Sequence, residues 1–153
     1  MINQFHEKIS FSRFIRFDTN ETLDAFSEHC TIHRVINNLS RSGVSHKNVV
    51  ARTASGRILA NLTENLGVDA IWDAYHKRDS SEAVETLYRA AAQLLNDGSL
   101  DVRQEAKRIF IVLMQDDHFE YNVKKIVAPE LYNKIKKSLI NLAKQLSELQ
   151  NKQ

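Results

Sequence analysis

An all-α fold, built as a short α-solenoid of stacked helical hairpins, is predicted by three features of this 153-residue chain. One Pro and four Gly leave little material for β-turns, while the abundant Ala, Leu, Lys, Gln and Glu favour helices. Apolar residues recur at steps of three and four along most of the chain. A segment also repeats: "NVVARTASGRILANL" (48–62) laid over "SLDVRQEAKRIFIVL" (99–113) at an offset of 51 pairs Arg52 with Arg103 and Arg57 with Arg108. Val49 then coincides with Leu100, Ile58 with Ile109, Leu59 with Phe110 and Leu62 with Leu113. Each copy follows another amphipathic segment, so the unit is helix, tight turn, helix, and it buries its face only against neighbouring units.

The elements follow in order. Leu23 and Phe26, then Ile32, Val35, Ile36 and Leu39, mark the opening helical stretch, which ends near Gly43. Asn48 stands where an N-cap accepts a backbone N–H, and Val50, Ala54, Ile58, Leu59 and Leu62 form the apolar face behind it. Gly67 ends that helix, and the excess over a simple hairpin is an additional short helix around Val68 to Tyr75, with Trp72 as its core anchor or, alternatively, a surface contact. Asp79 and Ser80 can start the next helix, which presents Val84, Leu87, Ala91, Leu94 and Leu95 and runs to about Leu95 before Gly98. Ser99 is the second expected cap, followed by Val102, Ala106, Ile109 and Leu113; Asp116 and Asp117 read as caps of what comes after.

Pro129 suits the first position of the last helix, with Glu130 beside the positive end of its dipole. Leu131, Tyr132, Ile135, Leu139, Leu142, Leu146 and Leu149 follow at helical spacing, and from Tyr132 on they have the spacing of a coiled-coil seam. Fewer than three heptads fit, so packing onto the preceding hairpin is the expected use, with self-association as the alternative. Lys134, Lys136, Lys137 and Lys144 form the wet face. Residues 1–20 read as a lead-in, 21–149 as the helical-repeat domain and 150–153 as a tail.

Composition narrows the function classes. Hydrophobic residues are 42% and charged residues 26%, near globular averages, and no apolar run is long enough to span a bilayer. No basic stretch leads into an apolar one at the N-terminus, and the single Cys30 forms no internal disulfide, which fits the cytoplasm. Net charge is +2; residues 124–153 hold seven Lys against two Glu, a balance of +5 that leaves −3 for residues 1–123. That total exerts no strong pull on nucleic acid or anionic membrane, and neither is an expected partner. No phosphate loop, nucleophile elbow or Cys–His pairing points to an enzyme or a cofactor. His29 and His33 lie four apart beside Glu28 and Cys30 without a matching pair of ligands, and "QDDHFE" (115–120) lacks the Gly and alternation of a calcium loop. No metal site is expected.

Four stretches resemble a TOG domain, the tubulin-binding module of HEAT repeats, of the type found in the crescerin family (TOG array regulators of axonemal microtubules). They are "SRFIRFDTNETLDAFSEHCTIHRVINNL", "SGVSHKNVVARTASGRILANLTENLG", "LLNDGSLDVRQEAKRIFIVLM" and "HFEYNVKKIVAPELYNKIKKSLINL", and they cover about Phe11 to Leu142. The resemblance implies an ARM/HEAT-type superhelix matching the C-terminal half of the domain, since about three of its six repeats fit. It also implies a non-catalytic module that binds tubulin or microtubules in the cytoskeleton, including the cilium or axoneme.

In such a stack the turns inside successive repeats line up along one edge. Ser45, His46, Lys47 and Asn48 would share it with Asp97, Gly98 and Ser99. Lys47 would face an acidic partner and Asn48 would hydrogen-bond to it, while Arg52 and Arg103 belong to the same edge and bridge neighbouring turns. An exposed charge pair is worth only about 0–1 kcal/mol, so several turns must act together.

Overall fold

The computed structural model describes residues 32–77 and 80–152. Six helices occur among them, and no strand: α1 (Ile32–Asn38), α2 (Val49–His76), α3 (Ser81–Leu95), α4 (Leu100–Leu113), α5 (Phe119–Ile126) and α6 (Pro129–Gln150). A π-helical turn, Leu39–Gly43, prolongs α1. Residues His33–Gln153 form one compact unit. The expected lead-in, the Leu23–Phe26 stretch, His29, Cys30 and Asp79 lie outside the described residues.

The helices pair as hairpins. The π-helical turn packs on α2, α3 on α4 and α5 on α6; between hairpins α2 meets α3 and α4, α3 meets α5, and α6 meets α3 and α4. First helices thus form one layer and second helices the other, a HEAT-like solenoid. The core between layers holds Leu59, Leu94, Val102, Ile109, Phe110 and Leu113, each 1% exposed or less.

The face of α2 departs from the sequence expectation. Val50 is exposed, and Ile58 and Leu62 are half-buried; the core positions are Ala51, Ala54, Ser55, Leu59 and Thr63. Two hydroxyls can sit there because each donates to its own helix: Ser55 Oγ to the Ala51 carbonyl at 2.8 Å and Thr63 Oγ1 to the Leu59 carbonyl at 2.7 Å. The small side chains let α4 approach closely. A Cβ on Gly56 would lie 3.0 Å from Glu105 Cβ, so any larger residue here would push against α4. Next to it Arg108 of α4 clamps α2: Nε and Nη2 donate to the two carboxylate oxygens of Glu64 at 2.9 and 2.6 Å, and Nη1 donates to Glu105 at 2.6 Å.

Gly67 divides α2, as its position in the sequence suggested. It has φ 74° and ψ 166°, whereas the residues on either side are helical, so Val68–His76 runs as a separate short segment. Nothing lies within 4 Å of the place a Cβ would occupy, so backbone conformation alone demands glycine. Gly67→Ala is expected to cost about 1–3 kcal/mol through that strain, read as a lowered Tm with an unchanged helical circular dichroism spectrum. Trp72 in this segment is half-buried, not a closed core anchor. Its ring stacks on His118 at 5.1 Å and meets His76 edge-on at 4.2 Å.

The other helix ends follow local chemistry. Pro129 begins α6 with Glu130 in its first turn. Ser80 and Ser99 occupy N-cap positions, yet neither hydroxyl caps. Asp116 does part of the capping expected of it, since Oδ1 accepts from the His118 N–H at 3.0 Å; Asp117 is exposed. On α6, Ile135, Leu139 and Leu142 are buried against the preceding hairpin, Tyr132 and Leu146 are half-buried, and Leu149 is 62% exposed. Among the described residues no helix is long and apolar enough to cross a membrane, and no group of three metal-ligating side chains comes together.

Candidate partner-binding edge

The turn before α2 and the turn before α4 lie side by side, held by one bidentate ion pair. Arg52, in the first turn of α2, donates through Nε to Asp97 Oδ2 at 2.7 Å and through Nη2 to Asp97 Oδ1 at 3.2 Å. Its Nη1 reaches back to its own turn, donating to the carbonyls of His46 at 2.9 Å and Lys47 at 3.1 Å. One guanidinium thus ties two turns across 45 residues of sequence, the bridging role expected of it.

Arg103 repeats the local half of this arrangement. Its Nη1 donates to the carbonyls of Asp97 and Gly98, both at 2.8 Å, which stand at the same offsets as His46 and Lys47 from Arg52. The match extends to the turn itself. Asp97 Oδ1 accepts from the Ser99 N–H at 2.9 Å, and His46 Nδ1 accepts from the Asn48 N–H at 3.0 Å. An imidazole in one turn and a carboxylate in the other make the same bond two residues on. That equivalence is the physical content of the sequence repeat.

Burial by itself raises the Asp97 carboxyl pKa, but the Arg52 hydrogen bond, the Ser99 N–H and the charges of Arg52 and Arg103 together outweigh it. The carboxyl is held below its usual range and the tie is ionic at neutral pH. Asn48 caps α2 as expected, its side chain accepting from the Val50 N–H at 2.8 Å; its amide nitrogen is outside that bond. Ser99 differs from expectation: its own N–H is taken by Asp97, and its hydroxyl makes no cap bond. Ser45 Oγ accepts from Gln93 Nε2 at 2.9 Å, fixing the first turn to α3. Lys47 is exposed.

All eight sequence-predicted residues, Ser45, His46, Lys47, Asn48, Arg52, Asp97, Ser99 and Arg103, therefore belong to this one edge. Three others were missed. Val49 (41% exposed), Val50 (62%) and Leu100 (55%) begin α2 and α4 on the same edge and face solvent. Their signal was present in the repeat, where Val49 matches Leu100, but apolar residues in a first turn read as core when only periodicity is weighed. The edge is thus polar turns around exposed apolar side chains, the composition of a protein-contact surface.

Stacked two-layer hairpins, with two neighbouring turns tied together, define the class: an α-helical repeat protein of the HEAT-like kind. The family model described as CLASP N terminal matches residues 10–139, and the chain belongs to that family. It is 26% identical over 137 residues to TOG array regulator of axonemal microtubules protein 1 of Mus musculus, a match covering 90% of this chain and 7% of that protein. The chain thus spans a small part of that relative's length. No solved structure matches it.

Proposed function

We propose that this chain is a non-catalytic module that binds tubulin or microtubules through the edge formed by Ser45–Asn48 and Asp97–Arg103. The observation that carries the reading is the Arg52–Asp97 tie, which fixes two short polar turns in one row. A preformed row loses little conformational entropy on binding, so weak contacts from several turns can add. Membership of the CLASP N-terminal family and the likeness to a regulator of axonemal microtubules support the partner, and with it a cytoskeletal or axonemal setting. A second reading, a repeat scaffold that self-associates through the end of α6, draws on the exposure of Ile140 and Leu149 there.

Microtubule co-sedimentation, together with gel filtration beside soluble tubulin, separates them. Lys47→Glu should weaken tubulin binding roughly three- to tenfold without lowering Tm, because the lysine side chain is exposed and only its backbone carbonyl serves the turn. Raised salt should weaken the wild type as well. A folded wild type that binds neither tubulin nor microtubules overturns the first reading and leaves the scaffold.

A further inference from the structure

The two equivalent arginines are used unequally. Arg52 spends Nη1 on its own turn and its Nε and Nη2 on Asp97 of the next turn. Arg103 spends Nη1 on its own turn in the same way, and its Nε–Nη2 edge meets no acceptor among the described residues. The cause is legible in the third hairpin. Asp97 stands three residues before the start of α4; the residue three before α6 is Ile126, buried at 8% exposure. An isoleucine side chain offers no acceptor at that position, and among the described residues the arginine–aspartate tie between turns is not repeated.

What remains is a half-exposed guanidinium, permanently cationic, oriented by its two Nη1 bonds, with the exposed Leu100 three residues before it. Two parallel N–H donors match the two oxygens of a carboxylate better than any other common side chain. We propose that the open Nε–Nη2 edge of Arg103 is a receptor for a single Asp or Glu of a partner protein, taken bidentately as Arg52 takes Asp97. In the first described turn the residue at the Asp97 position is His46, an imidazole that already accepts from the Asn48 N–H, so that turn of a second copy offers no carboxylate there. The inference rests on the turn edge being a contact surface, and it adds the chemical group recognised and the donor pair that recognises it.

Two measurements decide it. In the 15N-labelled full chain, adding a short end-capped oligoglutamate peptide at low salt should move the Arg103 Nε–Hε resonance and leave that of Arg52, already bonded to Asp97, in place. Separately, Arg103→Lys keeps the charge and can still donate to the turn carbonyls, yet it loses the fork; tubulin affinity should fall about tenfold with Tm unchanged. An Arg103 resonance that ignores the peptide, or a lysine variant that binds tubulin as the wild type does, overturns the proposal. If the wild type does not bind tubulin at all, the functional reading falls, and the peptide titration alone decides the carboxylate receptor.

Discussion

Phe110→Ala is expected to lower stability by about 3–5 kcal/mol, a large part of the 5–15 kcal/mol typical of a domain. Phe110 is fully buried on α4 at the position equivalent to Leu59 on α2. Its ring meets Phe119 edge-on, with centroids 6.0 Å apart, and Phe119 in turn stacks on Tyr88 of α3 at 6.3 Å. Truncation would leave a cavity where the second and third hairpins meet, and neighbouring helices fixed by their own contacts cannot close it fully. Thermal or urea unfolding reads the loss, with Tm expected to fall by about 10 °C or more. Leu149→Ala is the contrast: at 62% exposure it should stay within about 0.5 kcal/mol of wild type. Similar losses from the two would mean that Phe110 is not a core residue.

Asp97→Ala should cost about 2–3 kcal/mol, because it strips two hydrogen bonds from Arg52 and one from the Ser99 N–H while leaving a mostly buried guanidinium edge without a partner. The side chains are 12% and 21% exposed, so solvent screens the pair less than it would a surface ion pair. The cost should depend on pH in one direction. The Asp97 carboxyl is depressed in the folded protein, so its contribution is complete above the unfolded carboxylate range, near pH 4, and is lost as pH falls through the lower folded value. The Tm gap between wild type and Asp97→Ala should therefore be constant above about pH 5 and narrow in more acid solution. A gap that stays constant down to the acid limit would show that the carboxylate charge contributes nothing.

Much of the fold was legible because helical hairpins are specified locally. Asn48, Gly67 and Pro129 act through their own backbone preferences, which need no knowledge of the rest of the chain. Side-chain burial on α2 was less legible. Ser55 and Thr63 enter the core because their hydroxyls find carbonyls four residues back, whereas Val50 lies on the solvent side of a first turn whose buried residue is Ala51. Periodicity alone ranks these residues the other way. At the candidate site, the repeat placed Arg52 and Arg103 in equivalent positions, and it could also have paired His46 with Asp97. It could not show that one arginine finds its carboxylate in the next turn while the other does not, since that depends on hairpins packing side by side.

The single rung between the turns also has a mechanical meaning. Successive hairpins share broad helix contacts in the body of the stack, but at the edge the first and second turns are joined through Arg52 and Asp97. A load applied to the second turn would pass along that carboxylate to Arg52, and from Arg52 to the carbonyls of His46 and Lys47. The side chain that joins the two turns is therefore also a route by which a pull on one would be shared by the other.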